Sequence, residues 1–131
     1  MKRDIITNEF VVKFANVNGT GSASANKLFS KAVFRMGVPI SSKNIFPSNI
    51  QGLPTWYGIR ANHQGYMARS KRVDVMVAMN AQTYQKDMEN LSPGGFLIYD
   101  STWPRERQLN REDITVLGVP LAKLCNENFS D

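Results

Sequence analysis

The residues best suited to chemistry form a short run of small side chains, Asn18-Gly19-Thr20-Gly21-Ser22. The run follows an apolar stretch typical of a buried strand, residues 10–14, and precedes a helix pattern. Glycines allow close approach of a ligand, and the N–H groups and dipole of a helix N-terminus favour phosphate. Two interpretations therefore stay open: a phosphate-binding loop, or a tight turn capped by Thr20 or Ser22.

The other half of a dinucleotide-binding fingerprint is missing from the sequence. An NAD site has an acidic residue about 20 residues further on, at the end of the second strand. The second predicted strand, residues 38–46, has no acid and carries Lys43. Lysine cannot accept a hydrogen bond from a ribose hydroxyl, but it can pair with phosphate. This counts against NAD, leaves NADP and coenzyme A open, and makes Lys43 a candidate binding residue.

Side chains for independent catalysis or metal binding are scarce in the sequence. His63 is the only histidine, and Cys125 is the only cysteine. One thiol cannot form an internal disulfide or supply the roughly four thiolates of an iron–sulfur cluster. Neither a nucleophile–base pair, a metal-ligand cluster nor a complete thiamine diphosphate motif is present. We therefore expect no catalytic residue and no metal ligand in this chain.

The elements that must position the glycine loop follow the order strand, loop, helix, strand over residues 10–46. Gly37 and Pro39 end the helix pattern. Its apolar face is formed by Ala25, Leu28, Phe29, Ala32, Val33 and Met36, which recur at helical spacing.

The remaining pattern predicts strands at residues 55–61, 73–79, 96–100 and 114–117, and helices at 81–90 and from 121 onward. Residues 66–68 are expected to return as a short antiparallel partner of residues 55–61. Alternating strands and helices favour a mostly parallel sheet between two helical layers. We therefore predict one domain over residues 1–131 with a three-layer α/β/α, Rossmann-like fold and a small antiparallel hairpin.

Charge is distributed unevenly along the 131 residues, whose formal net charge is +5. Residues 1–72 hold eleven Lys and Arg against two Asp and Glu, whereas residues 73–131 hold five against nine. The basic half suits an anionic partner. Nucleic acid is not expected, because exposed aromatics interleaved with the basic residues are missing. No apolar run approaches the about 20 residues of a membrane helix, and no signal peptide is present, so we expect a cytoplasmic protein.

Four segments closely resemble the gamma domain of 2-oxoacid:ferredoxin oxidoreductases, and the likeness covers nearly the whole chain. They are residues 14–22 (FANVNGTGS), 46–57 (FPSNIQGLPTWY), 72–80 (RVDVMVAMN) and 92–100 (SPGGFLIYD). The form most resembled is the N-terminal part of a fused gamma–alpha subunit, the 2-oxoglutarate type included. Asn16 and Asn18 stand where most relatives have Gly, which we interpret as a mark of this subtype.

This resemblance implies an oxidoreductase that converts a 2-oxoacid, such as pyruvate, and coenzyme A to acyl-CoA and carbon dioxide, with ferredoxin as electron acceptor. Thiamine diphosphate and the iron–sulfur clusters are then expected only on other subunits, and alpha and beta subunits are the partners. The implied coenzyme A residues lie in two loops at the carboxyl end of the sheet: Asn18, Gly19, Thr20, Gly21 and Ser22, and Pro47, Ser48, Asn49, Gln51 and Gly52.

Two alternative functions stay open beside coenzyme A binding. One is a non-catalytic module for subunit assembly, and the other is an NADP-binding or other phosphate-binding domain. The pattern ends at Asp131 within a helix signal, so we expect the gamma-type domain to be C-terminally incomplete. We expect the isolated chain to be inactive and to form a homo-oligomer.

Overall fold

The computed structural model describes residues 7–46, 52–68 and 70–129. The strands are β1 (Glu9–Val17), β2 (Ile40–Ile45), β3 (Pro54–Asn62), β4 (Val75–Ala78), β5 (Phe96–Asp100) and β6 (Thr115–Val119). The helices are α1 (Ser22–Arg35), α2 (Tyr84–Asn90) and α3 (Leu121–Asn128), with short 3-10 turns at Ala81–Thr83 and Glu106–Gln108.

The strands of the described residues form one sheet in the order β2-β3-β1-β4-β5-β6. Strand β1 is parallel to β4, β4 to β5, and β5 to β6. Strand β3 is antiparallel to both of its neighbours, β1 and β2. The predicted mixed, mostly parallel sheet is confirmed.

The antiparallel hairpin has a different partner from the one predicted. Residues 66–68 form no strand, and β3 instead pairs with the preceding strand β2. Both edges of β3 are taken, one by β2 and the other by β1. No edge is left for residues 66–68, so the sequence signal for a return strand there was wrong.

Adjacent residues of β3 show that the helices lie on opposite faces of the sheet. The Tyr57 hydroxyl is 3.0 Å from Ser30 Oγ on α1, and Trp56 Nε1 donates to Asp87 Oδ1 on α2 at 2.8 Å. Because successive strand residues point to opposite faces, α1 and α2 form separate layers. The three-layer α/β/α arrangement follows.

The main core lies between the sheet and α2. Met76 and Leu97 are fully buried there and pack with Trp56, Tyr84 and Leu91. Burial of such side chains contributes about 1.5–3 kcal/mol each. This core fixes the sheet whose carboxyl end carries the loops.

Helix α1 has the predicted extent but a different orientation. Its buried residues are the polar Asn26 and Ser30, whereas Leu28 and Met36 are 69% and 79% exposed. Periodicity predicts the apolar stripe but not the face that meets the sheet. Ser30 meets the sheet because it hydrogen-bonds the buried Tyr57 hydroxyl. Part of the apolar stripe, including Leu28 and Met36, is therefore turned outward, whereas Phe29 still contacts Phe14 of β1.

None of the described helices is both long and apolar enough to cross a membrane.

Candidate functional site at the carboxyl end of the sheet

The two predicted loops meet at the carboxyl end of β1. Asn18 N donates to Leu53 O at 2.9 Å, and Gly52 N donates back to Asn18 O at 3.0 Å. This reciprocal pair joins the glycine loop to the end of the second loop. Four candidate residues of the second loop lie outside the described residues: Pro47, Ser48, Asn49 and Gln51.

The start of α1 is not capped in the way that the tight-turn interpretation requires. Thr20 Oγ1 donates to Val17 O at 2.8 Å, so it binds the strand. Ser22 is the first helical residue, and the N-cap position belongs to Gly21, which has no side chain. The φ angles of Gly19 and Gly21 are +85° and +76°, a conformation that favours glycine. The capping position therefore leaves space for an external acceptor beside the first N–H groups of α1.

The glycine loop lies at the point where the connections from neighbouring strands lead to opposite faces of the sheet. Strand β1 leads into α1 on one face, and its neighbour β4 leads towards α2 on the other. In open α/β sheets, ligands bind in the crevice beyond the carboxyl ends of such a strand pair. The glycine loop is thus at the position where this fold holds ligands.

Two buried side-chain amide nitrogens, near the ends of the two strands that border this crevice, have no hydrogen-bond acceptor among the described residues. Asn16, near the end of β1, and Asn80, just after β4, are 6% and 4% exposed. Among the described residues, neither Asn16 Nδ2 nor Asn80 Nδ2 has a hydrogen-bond acceptor. An unsatisfied buried donor costs about 1–3 kcal/mol. Both amides are therefore suited to donate to a ligand oxygen. The sequence marks Asn16 only as a departure from the glycine-rich pattern, and it provides no signal that distinguishes Asn80.

A basic groove of about 540 Å³ runs from Ser24 along α1 towards β2. Lys27 and Lys31 line it one helical turn apart, with the polar Asn44 of β2 opposite. Sequence reasoning missed both lysines because they fall outside the apolar stripe from which it defined α1. Their i, i+4 spacing directly after a glycine loop was the available signal.

Lys43 is not brought together with the glycine loop. It lies in the middle of β2 opposite Gly58, which in turn lies opposite Lys13 of β1. Lys43 and Lys13 line a second cavity, whereas Ser24, which follows the glycine loop, lines only the groove along α1. The structure thus separates Lys43 from the other candidate residues.

Other polar groups have structural partners. Asp100, at the end of β5, accepts hydrogen bonds from Thr102 N at 3.0 Å and from Ala122 N at the start of α3 at 3.2 Å. Burial opposes its ionisation, but the hydrogen bonds from Thr102 and α3 outweigh it and lower the Asp100 pKa.

No group of three or more His, Cys, Asp or Glu in the described parts of the chain could hold a metal ion.

Comparison with known proteins gives a consistent set of matches. Residues 11–130 match the family model for pyruvate ferredoxin/flavodoxin oxidoreductase. The alpha subunit of 2-oxoacid:ferredoxin oxidoreductase 2 from Aeropyrum pernix is 26% identical over 111 residues. That alignment covers 85% of this chain but only 17% of the Aeropyrum subunit.

Solved structures share the fold. The pyruvate oxidoreductase subunit PORC of Thermotoga maritima superimposes with a TM-score of 0.75 at 17% identity, over 92% of this chain and 67% of that one. The 2-oxoglutarate:ferredoxin oxidoreductase of Magnetococcus marinus, solved with 2-oxoglutarate, coenzyme A and succinyl-CoA, gives 0.78 at 22% identity, over 93% of this chain and 22% of that one. The gamma subunit of a keto/oxoacid ferredoxin oxidoreductase from Geobacter sulfurreducens gives 0.71 at 15% identity, over 90% of this chain and 66% of that one.

Proposed function

Because the chain belongs to the pyruvate ferredoxin/flavodoxin oxidoreductase family, we propose that it serves as the gamma domain of a 2-oxoacid:ferredoxin oxidoreductase. In that reaction the 2-oxoacid loses carbon dioxide, its acyl group joins the coenzyme A sulfur, and the electron pair passes to ferredoxin as the thiol proton is released. This chain contributes to coenzyme A binding. Thiamine diphosphate and the iron–sulfur clusters belong to other subunits.

The crevice at the end of β1 and β4 carries the proposed coenzyme A site. Asn18, Gly19, Thr20, Gly21 and Ser22 form its phosphate loop, and Gly52 holds the second loop against it through Asn18. Pro47, Ser48, Asn49 and Gln51 complete the second loop in this proposal.

The polar groups around that crevice have complementary tasks in the proposal. The N–H groups of α1 favour phosphate, and Lys27 and Lys31 supply positive charge along the adjoining groove. Asn16 Nδ2 and Asn80 Nδ2, which have no acceptor among the described residues, donate to ligand oxygens. Lys43, which the sequence also suggested for phosphate, lies away from the glycine loop and lines another cavity. The single observation that carries the proposal is that the start of α1 has no side-chain cap, in a crevice bordered by two buried amide nitrogens without acceptors.

Calorimetric titration of the chain with coenzyme A tests the proposed site. Gly21→Val forces a β-branched side chain into the φ of +76°, distorts the loop and should weaken binding about tenfold or more. Gly37→Val is the matched control, because Gly37 has a φ of +84° at the opposite end of α1, and likewise has open space around it. Unchanged affinity in Gly21→Val would refute the site. A parallel titration with NADP tests the alternative ligand, which we expect to bind more weakly.

A second proposed function is assembly with the alpha and beta subunits, through which the chain reaches ferredoxin. The outward-facing Leu28 and Met36 of α1 favour it, because large exposed apolar side chains in one stripe are typical of protein interfaces. In isolation the same stripe supports a homo-oligomer. The proposal retains the cytoplasmic location that the sequence predicts.

A further inference from the structure

We propose that the cavity on the sheet face opposite α1 binds a small phosphorylated anion. This cavity of about 850 Å³ lies over β1, β2 and β3 and is lined by four cations, Lys13, Lys43, Arg60 and Lys71. Its volume is in the range of small-molecule sites, about 300–1,000 Å³. The inference does not depend on coenzyme A binding, because the cavity and the glycine loop lie on different parts of the sheet.

The strand register places two lysines around one point of the cavity floor. Gly58 of β3 lies opposite Lys13 on one side and opposite Lys43 on the other. Neighbouring strands are about 4.8 Å apart, so the two lysine backbones flank Gly58 at roughly 10 Å from each other. Side chains of that length can both reach an anion held above Gly58.

Arg60 adds a third cation on the same face, two residues along β3 from Gly58. Its Nη1 donates to Ala68 O, which fixes the guanidinium at the part of the rim that Met67, Ala68, Ser70 and Lys71 line. Guanidinium and ammonium groups are the usual partners of phosphate oxygens. No Asp or Glu occurs among the described residues that line the cavity.

Two carboxylates lie near the cavity. Asp74 accepts a hydrogen bond from Val11 N at 2.9 Å and pairs with Arg72. Asp87 has a pKa that Lys13 helps to lower against the larger effect of burial. Asp87 is fully buried on α2 and accepts hydrogen bonds from Trp56 and Thr83. Its oxygens are therefore directed into the core. Neither carboxylate belongs to the described lining of the cavity, whose charged residues are Lys13, Lys43, Arg60 and Lys71.

Gly58 itself indicates that the floor is kept open for a ligand. A Cβ at this position would lie 3.9 Å from Lys13 Cγ and 4.0 Å from Lys43 O, which are ordinary contacts. Its φ is also outside the left-handed region, unlike that of Gly52 or Gly65. Neither packing nor backbone conformation requires glycine here, and glycine weakens a strand interior. The missing side chain provides space between the two lysines.

Inorganic pyrophosphate is the probe that tests the cavity, titrated into the full chain carrying Gly21→Val so that the glycine loop does not contribute. Adding Gly58→Val should fill the floor and weaken pyrophosphate binding about tenfold or more, while thermal melting shows an intact fold. Lys43→Ala should weaken it about tenfold, the effect of losing one charge-assisted contact. Lys43 is exposed, so this second variant keeps the test valid if Gly58→Val unfolds.

Lys123→Ala is the charge-matched control, since Lys123 lies on α3 away from the cavity and pairs with Glu127. Its pyrophosphate affinity should stay within about twofold of the parent. Equal losses in Lys43→Ala and Lys123→Ala would mean diffuse attraction and overturn the proposal, as would full binding by a folded Gly58→Val. Tighter binding of a glutamate hexapeptide than of pyrophosphate, lost in Gly58→Val, would overturn it in favour of an acidic peptide.

Discussion

Asp87 places a carboxylate wholly inside the core between the sheet and α2. Its oxygens accept from Trp56 Nε1 at 2.8 Å and Thr83 Oγ1 at 2.7 Å, so each oxygen of the ionised carboxylate has a donor. Burial is the main influence and raises the Asp87 pKa, while the two hydrogen bonds and the charges of Lys13 and Lys86 offset this in part. The folded state therefore binds this proton more tightly than the unfolded state.

That difference predicts how stability depends on pH. A raised folded pKa gives a contribution that is complete below the unfolded pKa and is lost as pH rises through the folded pKa. The urea midpoint of the wild type minus that of Asp87→Asn should therefore increase as pH falls from 7 towards 4. A difference independent of pH would contradict the raised Asp87 pKa.

Asp113 supplies a control with the opposite sign. Its hydrogen bond from Arg111 lowers the Asp113 pKa, so its contribution is present above the unfolded pKa and is lost as pH falls through the folded one. The midpoint difference between wild type and Asp113→Asn should accordingly stay nearly level from pH 7 to about 5 and decrease as pH falls through about 4 and below.

Asn16 offers a residue-scale test of the crevice. Its buried Nδ2 has no acceptor in the described structure, so Asn16→Ala should change the free energy of unfolding by less than about 0.5 kcal/mol or increase it. The same change should weaken coenzyme A binding about tenfold, measured by calorimetry. Asn16→Ala should thus weaken coenzyme A binding without lowering the free energy of unfolding appreciably.

Asn62 is the matched control for that substitution. It is also buried, but its Oδ1 accepts from Gln64 N at 2.9 Å. Asn62→Ala should cost about 1–2 kcal/mol in urea unfolding and leave coenzyme A affinity unchanged. A larger stability loss in Asn16→Ala than in Asn62→Ala would show that Asn16 is a structural residue.

At the scale of elements, α1 shows what a sequence pattern can and cannot predict. The i, i+3, i+4 recurrence predicted the helix and its apolar stripe, and Gly37 marked its end. It did not predict the orientation, because that depends on Tyr57, a residue of another strand whose buried hydroxyl pairs with Ser30. Local periodicity carries no information about such a non-local partner.

The same limit applies to the candidate site. Glycine spacing located the loop, since positive φ at Gly19 and Gly21 is a local requirement. Lys27 and Lys31 lie off the apolar stripe of the helix pattern, and the groove that they line exists only once α1 lies against β2. Lys43 was placed with the loop because position along the chain does not show which part of the sheet a mid-strand residue occupies.

The groove along α1 predicts an ordered set of coenzyme A affinities. Lys27→Ala and Lys31→Ala should each weaken binding about three- to tenfold, since each removes a charge that lines the groove. Arg35→Ala is the control on the same helix, because Arg35 lies in the last turn and does not line the groove. Calorimetry at two salt concentrations checks this. An equal loss in all three variants would indicate a general charge effect instead.

At the scale of the whole molecule, the exposed stripe of α1 predicts self-association of the isolated chain. Leu28→Lys with Met36→Lys places charge on two positions that are 69% and 79% exposed, so folding should be little affected. Light scattering should show smaller particles for the double variant, with a melting temperature within about 2 °C of the parent. Association of the double variant equal to that of the parent would exclude this stripe as the contact surface.

The sheet order also has an electrical consequence. Strands β2, β3 and β1, with α1, come from the basic half of the sequence and lie together on one side, whereas β4, β5 and β6 come from the acidic half. The uneven distribution of charge along the sequence thus becomes a permanent dipole across the sheet. A dipole experiences a torque in the field of an anionic molecule or subunit before contact, and this orienting effect weakens over about 8 Å at physiological ionic strength. The basic side would then turn towards an approaching anion first.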